Sequence, residues 1–331
     1  MMSGFIIFLI GMALVFDFIN GFHDAANSIA TAVSTRILKP SQAVIWAAFF
    51  NFVAFLFFET KVANTIGKGL IDPSIVDAEL IFSVLLGAII WNLVTWFYGI
   101  PSSSSHALVG GLVGAGIAKA GFGIVHTEGL VTILISIVAS PLLGFFLGYL
   151  LMKITRRLCA SKAPLQVDRW FRKLQLVSAA MYSLGHGGND AQKTMGIIAV
   201  LLFSSGYLGT EFHVPFWVVL VCQLAMALGT LFGGWRIVKT MGDKITKLKP
   251  IGGFCAETAG AFTLFLATAF GIPVSTTHTI TGSIVGVGTA RALQAVRWNQ
   301  TQRIVTAWVV TMPVVALLSS VTFIIVKTLS K

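Results

Sequence analysis

Charge is scarce in this sequence: Asp, Glu, Lys and Arg make up 11% of 331 residues, and only 12 of them are acidic. With 56% hydrophobic residues and a mean hydropathy of +0.88, the chain lacks the polar surface of a water-soluble domain. Its apolar runs recur at lengths near the roughly 20 residues that cross a bilayer. Cysteine is almost absent too. Cys159, Cys222 and Cys255 are far apart with no paired spacing, which excludes a disulfide framework and a thiolate zinc site and leaves them as packing residues. The leading run "MMSGFIIFLIGMALVFDF" has neither the basic start nor the small-residue cleavage site of a signal peptide, and it reads as a retained first span. The net charge of +11 would suit a nucleic-acid partner, but the basic residues lie in short loops between apolar spans, where topology is the usual cause. No nucleic-acid partner, cofactor, resident metal or catalytic constellation is expected.

What is present is repetition. "GIPSSSSH" (99–106) returns as "GIPVSTTH" (271–278), and glycines follow each histidine at the same steps, Gly110 and Gly114 against Gly282 and Gly286. "GFHDAANS" (21–28) aligns with "GGNDAQKT" (187–194), which sets Asp24 over Asp190. The order and spacing match, so the chain is an internal duplication.

Charge gives the orientation of the halves. With the N-terminus outside, 17 of the 23 Lys and Arg fall in inner loops, five fall outside, and Lys193 is left within a span; the bias is that of a membrane protein in this orientation. The segments at about 80–118 and 251–290 begin and end beside loops of one side, so each is a re-entrant hairpin. Each half then has three crossings, an odd number, and the second half is inverted. The expected fold is all-α: a first repeat over 1–153, a basic cytoplasmic linker over 154–173 and a second repeat over 174–331, forming one transport unit. The cell (inner or plasma) membrane is the expected location, with lipid as the surrounding partner.

Inverted repeats with irregular backbone near the membrane centre are the architecture of secondary transporters. In "PSSSSH", Pro101 stops one helix, and Ser103, Ser104 and Ser105 sit at the start of the next, where backbone N–H groups lack partners and the helix dipole is positive. Ser275, Thr276 and Thr277 repeat this. Two such ends pointing inward suit a small anion with many oxygens, such as phosphate; capping a helix needs one hydroxyl, not three. His106 and His278 follow the clusters and either donate to the anion or serve as structural hydrogen-bonders.

The other motif puts carboxylates in apolar segments, where ionisable groups are functional candidates by default. Asp24, Asn27, Ser28 and Thr31 fall on one helix face. Glycines before each aspartate (Gly21; Gly185, Gly187 and Gly188) are expected to let the helix break and expose carbonyls for a cation. Asp17 and Glu257 are further embedded acids without counterparts in the other half, with a structural and a coupling role both open.

These segments resemble the inorganic phosphate transporter (Pit) family, whose duplicated G-x-N-D-x-x-N and P-x-S-[ST]-[ST]-H motifs are matched in order and spacing over essentially the whole chain. The resemblance implies hairpin tips that contact phosphate through Ser103, Ser104, Ser105, Ser275, Thr276 and Thr277. It also implies a coupling-ion side served by Asp24, Asn27, Asn189 and Asp190, and a homodimeric assembly. Two departures from the sodium-driven pattern bear on coupling: His23 replaces asparagine, and Gln192 and Lys193 replace alanine and asparagine. A fixed ammonium at Lys193 stands where a bound sodium would act, so the chain is similar to the bacterial low-affinity branch, which takes phosphate with protons, with a neutral metal–phosphate complex as one form of the cargo. His23, with an ordinary pKa of about 6.5, is either a proton carrier or a hydrogen-bonding residue of the helix. A sulfate permease of the same family, sodium coupling, a passive anion channel and an intramembrane serine hydrolase remain as alternatives, the last without a nucleophile-elbow pattern.

Overall fold

The computed structural model describes residues 2–330. It is built from twelve α-helices: α1 (Gly4–Ser34), α2 (Pro40–Val53), α3 (Lys61–Lys68), α4 (Ala78–Tyr98), α5 (Ser104–Ala120), α6 (Thr127–Leu158), α7 (Pro164–Ser204), α8 (Phe216–Phe232), α9 (Trp235–Asp243), α10 (Pro250–Ala269), α11 (Thr276–Arg291) and α12 (Trp298–Leu329). The one extended pairing among the described residues is a single antiparallel bridge between Ile71 and Val125. Helices α1, α4, α6, α10 and α12 are long and apolar enough to cross a bilayer, and the bent pairs α2–α3 and α8–α9 raise the number to seven.

Local chemistry sets the ends. Pro40, Pro164 and Pro250 each begin a helix, where the missing N–H costs nothing. Asp77 caps α4 by accepting from Leu80 N at 2.9 Å. Gly99 (φ 65°) ends α4 and Gly271 (φ 70°) follows α10, both in the left-handed region that only glycine enters freely. The turn after each carries "PSS" or "PVS" into the next helix. Ser103 caps α5 by accepting from His106 N at 3.3 Å, and Ser275 caps α11 by accepting from His278 N at 3.2 Å.

The two halves interlock. Helix α5 lies along α12 and α11 along α6; α1 lies against α8 and α9, and α7 against α2 and α3. The repeated glycines explain how closely. A Cβ at Gly110 or Gly114 would strike the carbonyls of Met312 and Ala316 in α12, and one at Gly282 or Gly286 those of Pro141 and Phe145 in α6. Pro141 and Pro313 lie inside α6 and α12 in these same contact regions. The outer faces of α6 and α12 leave Ile135, Val138, Phe146, Val309, Leu317 and Ile324 exposed, as a lipid-facing surface requires.

One expectation needs correction. Helices α1 and α7 run unbroken through Gly21 and Gly185–Gly188. These glycines admit neighbours instead: Gly21 lies against the carbonyl of Met226, Gly187 against the backbone of Asn51, and Gly188 against the Phe58 ring. The breaks occur elsewhere, at 82° between α2 and α3 and at 72° between α8 and α9. The linker is mostly helix, since α6 continues to Leu158 and α7 starts at Pro164, with Arg172 donating to Asp168 at 2.7 Å and to the carbonyl of Arg36 at 3.1 Å.

Apolar side chains gather in two cores. One takes Ile6 to Phe16 of α1 with Leu80, Leu108 and Ile198; the other takes Ala26 to Ala30 of α1 with Tyr182, Leu264 and Ile284. Filling the glycine contacts tests the interlock: Gly114→Val and Gly286→Val are each expected to cost about 1–3 kcal/mol by overpacking, read as a lowered unfolding temperature in detergent, whereas Gly123→Val, facing open space, leaves it unchanged.

Candidate functional site

Two helix starts meet at the centre. The first intrahelical bonds of α5 and α11 run from Ala107 N to Ser103 O and from Thr279 N to Ser275 O. The N–H groups of Ser104, Ser105, Thr276 and Thr277 therefore precede any helical acceptor and carry the positive end of each dipole. All six hydroxyl residues of the two clusters, Ser103, Ser104, Ser105, Ser275, Thr276 and Thr277, are buried. One in each cluster, Ser103 or Ser275, is used in capping. The Ser104 hydroxyl has no partner, and an unpaired buried polar atom costs about 1–3 kcal/mol.

Lys193, on α7 and 2% exposed, joins the two tips. Its Nζ donates to Asp190 Oδ1 at 2.5 Å, to the carbonyl of Val274 in the second turn at 2.8 Å, and to Ser105 Oγ of the first. Ser105 Oγ in turn donates to Val274 O at 3.4 Å. Asp190 accepts from the Thr276 hydroxyl through Oδ2 at 2.9 Å, and His186 Nε2 lies 3.3 Å from the same oxygen. An acid, an ammonium and hydroxyls of both helix starts thus share one buried centre.

Asn27 reaches the hydroxyl cluster of the second hairpin. Its Nδ2 donates to Thr277 Oγ1 at 3.0 Å and to Thr276 Oγ1 at 3.3 Å. Asn189 does likewise for the second turn: Nδ2 donates to Thr268 Oγ1 at 2.9 Å and to Ile272 O at 3.3 Å, while Oδ1 accepts from Val274 N at 3.3 Å. His23 holds the equivalent place in the first half. Its Nδ1 pairs with Asp24 Oδ1 at 2.6 Å, and its Nε2 lies 3.0 Å from Thr95 Oγ1 and 3.4 Å from Ser102 Oγ. His23 with Thr95 and Asn189 with Thr268 are contacts of similar kind, from a threonine four residues before Gly99 and one three residues before Gly271. Asp24, His186 and Asp190 converge, one side-chain donor atom from each lying within 4.8 Å of the others.

Four candidates lie outside this centre. The rings of His106 and His278 meet edge to face at 4.4 Å, and His278 stacks on Trp308 at 3.7 Å; none of their ring nitrogens has a partner. The rings join the two hairpins and make no hydrogen bond to the hydroxyls, which meet only the backbone N–H groups of these residues. Glu257 accepts from Thr31 (2.5 Å) and Gln175 (3.0 Å) through Oε1 and from Ser178 (2.6 Å) through Oε2. Asp17 is fully buried with neither carboxylate oxygen partnered.

His186 and Tyr182 are central residues that the sequence reading does not select. His186 also lies 3.4 Å from Ser28 Oγ and 3.3 Å from Asn51 Oδ1, and the Tyr182 hydroxyl donates to the carbonyl of Thr276 at 2.9 Å. His186 stands four residues before Asp190, a spacing that puts both on one helix face.

Comparison with known proteins gives the family and the fold. Residues 20–319 match a family model described as the phosphate transporter family. A probable low-affinity inorganic phosphate transporter of Rhizobium meliloti is 66% identical over 315 residues, 95% of this chain and 94% of that protein. One of Bacillus subtilis is 45% identical over 323 residues, 97% of each chain. A solved structure described as the sodium-dependent phosphate transporter superposes with a TM-score of 0.88 at 26% identity, covering 98% of this chain and all of that one. The buried tie is tested by removing one partner. Lys193→Met leaves Asp190 uncompensated and is expected to cost about 3–5 kcal/mol, whereas Lys193→Met with Asp190→Asn regains most of that, by thermal unfolding in detergent.

Proposed function

The chain belongs to the phosphate transporter family and is a multi-pass membrane transporter of inorganic phosphate rather than an enzyme; from that premise we propose that it imports phosphate by proton symport, through a site made by Ser103, Ser104, Ser105, Ser275, Thr276 and Thr277. The observation that carries this reading is the Lys193 contact set. The side-chain nitrogen of Lys193, bonded to Asp190 and to both tips, takes the electrostatic place of a metal cation beside the anion. One fewer cation then needs to be carried, and protonation of the remaining carboxylates balances the rest. The structural relative is named for sodium, and a sodium arm in the assay below separates the two.

Phosphate is favoured over sulfate by an acceptor. Protonated phosphate presents an O–H that needs one, and Asp190, hydrogen-bonded to the Thr276 hydroxyl, lies against the cluster. Sulfate brings only acceptors. Asp24, Asn27, Asn189, Asp190, Lys193 and His23 form the coupling side. Asn27 and Lys193 reach the hydroxyls directly, so binding of anion and proton share groups.

The two halves act as oppositely oriented repeats, with hairpins α4–α5 and α10–α11, the N-terminus outside and the inner (plasma) membrane as location. The loop after α4 contacts the basic helix α9, where Thr240 donates to Gly99 O at 3.0 Å; the loop after α10 contacts α3, where Thr65 donates to Gly271 O at 2.7 Å. Such mirrored contacts support hairpins that enter from opposite faces and pass each other. A neutral metal–phosphate complex as cargo and a homodimer complete the reading.

Radiolabelled phosphate uptake into proteoliposomes tests it. An imposed pH gradient is expected to drive accumulation, a sodium gradient is not, and sulfate competes weakly. Asp24→Asn and Asp190→Asn are expected to abolish accumulation while the protein still inserts; normal pH-driven uptake in both would remove their coupling role. Ser104→Ala with Thr276→Ala is expected to weaken phosphate binding in calorimetry by about tenfold or more, at about 1–1.5 kcal/mol per lost hydrogen bond; unchanged affinity counts against the tip site.

A further inference from the structure

Two buried carboxylates are left outside the central site, and the helix pair that holds the site extends polar groups toward both. On α1 the residues Asp17, Asn20, Asp24, Asn27, Thr31 and Ser34 recur at alternating steps of three and four, a single stripe along the helix, and all but Ser34 are buried. Helix α7 has its own buried stripe: Gln175, Ser178, Tyr182, His186, Asn189 and Lys193. The helices run antiparallel with the stripes facing. Thr35 donates to Gln175 at 2.9 Å, Thr31 and Ser178 share Glu257, Ser28 Oγ lies 3.4 Å from His186, and Thr194 lies beside Asp17. From Asp17 to Thr35 the seam rises through 18 residue steps, about 27 Å at 1.5 Å per residue, close to the thickness of a bilayer core.

Each carboxylate lies two helical turns from the centre, on opposite sides. Asp17 precedes Asp24 by seven residues, and Thr31, which holds Glu257, follows it by seven. Their surroundings differ. Around Asp17 the hydroxyl of Thr194, the Asn20 Oδ1 and both carboxylate oxygens lack partners, an unpaired polar cluster in a region with no exposed surface. Glu257 is instead held by three donors. The titratable groups facing Asp17 are Asp190 and Lys193 of α7 and Cys222 of α8; Glu257 is faced by Tyr182 of α7, while α1 offers it only the neutral Thr31.

We propose that the α1–α7 seam is the proton route of this transporter, Asp17 loading the central acids from one side and Glu257 unloading them to the other. The inference rests on the proton-symport reading above. In the loading step the O–H of the Asp17 carboxylic acid breaks, the Thr194 hydroxyl accepts that proton and passes on its own, and Asp190, four residues before Thr194 on the same helix, ends as the acid. In unloading, that proton moves by Ser28, His186 and Thr31 to the Glu257 carboxylate and from there to water at the Gln175 end. The charge at Asp17 is replaced by a proton from the outer solution, so each cycle moves one proton with no other reactant.

Proteoliposomes of the full chain with a trapped pH dye and radiolabelled phosphate provide the test. Asp17→Asn and Glu257→Gln are expected to lower phosphate-dependent proton influx and pH-driven accumulation at least about tenfold, within the range of a lost proton-transfer group. Phosphate affinity by calorimetry and phosphate–phosphate exchange at equal pH are expected to stay close to those of the unaltered chain. Asp17→Glu and Glu257→Asp, which keep a titratable group, recover coupled uptake. Variants that move phosphate with an unaltered proton ratio overturn the seam while leaving symport intact, and so do variants that lose binding and exchange along with coupling. Absence of phosphate-dependent proton influx in the unaltered chain removes the symport reading and the seam together.

Discussion

The Lys193 ammonium is the interaction on which the centre of the molecule depends. Taking an ammonium out of water costs several kcal/mol even after relaxation, and this one is compensated by a carboxylate, a carbonyl and a hydroxyl from three separate segments. Two of these partners, Ser105 and Val274, belong to hairpins from different halves of the chain. The cation can be satisfied only when both tips are in place, so its burial penalty enforces their convergence. Asp190 is bound by the same logic: with Lys193, Thr276 and His186 around it, the carboxylate links α7 to the second hairpin.

The rest of the architecture makes that convergence repeatable. Each half supplies a left-handed glycine after its first hairpin helix, a hydroxyl N-cap on its second, and two glycines that bring the second helix onto the outer helix of the other half. Glycine against a carbonyl admits close approach without side-chain interdigitation, which suits helices packed in lipid, where apolar burial gives no driving force. Within the matched motifs the halves differ at the site: His23 against Asn189, Ser28 against Thr194, and Asn27 against Lys193.

Much of this was legible in the sequence because duplication doubles each signal. The paired "PSSSSH" and "PVSTTH" runs marked two helix starts, and the alignment of Asp24 with Asp190 marked the facing acids. What was not legible depends on partners far away in the chain. The glycines around Asp24 and Asp190 suggested broken helices, yet their neighbours are the Met226 carbonyl and Asn51 and Phe58, and contacts of that kind carry no local signature. The bends fall after Leu56 and after Phe232, the latter at Gly233 with a φ of 68°. His106 and His278 stood next to the hydroxyls in sequence, but a helix turns by about 100° per residue, and that carries both rings to the far side, where they meet each other.

A continuous polar seam through a membrane protein raises the problem of leakage, since a chain of hydroxyls and acids that conducts at rest would dissipate the gradient it is meant to use. Lys193 answers this chemically. An ammonium has three donors and no acceptor, so while it is held between Asp190, Ser105 and Val274 it cannot receive a proton, and it occupies the point where the two arms of the seam meet. An anion placed at the tips competes for those same donors. Drawing the ammonium toward phosphate oxygens frees Asp190 Oδ1 to accept a proton, and only then do the arms on either side have a common station. Coupling in this view needs no separate gate, because the bond that holds the empty site together is the one the substrate must exchange.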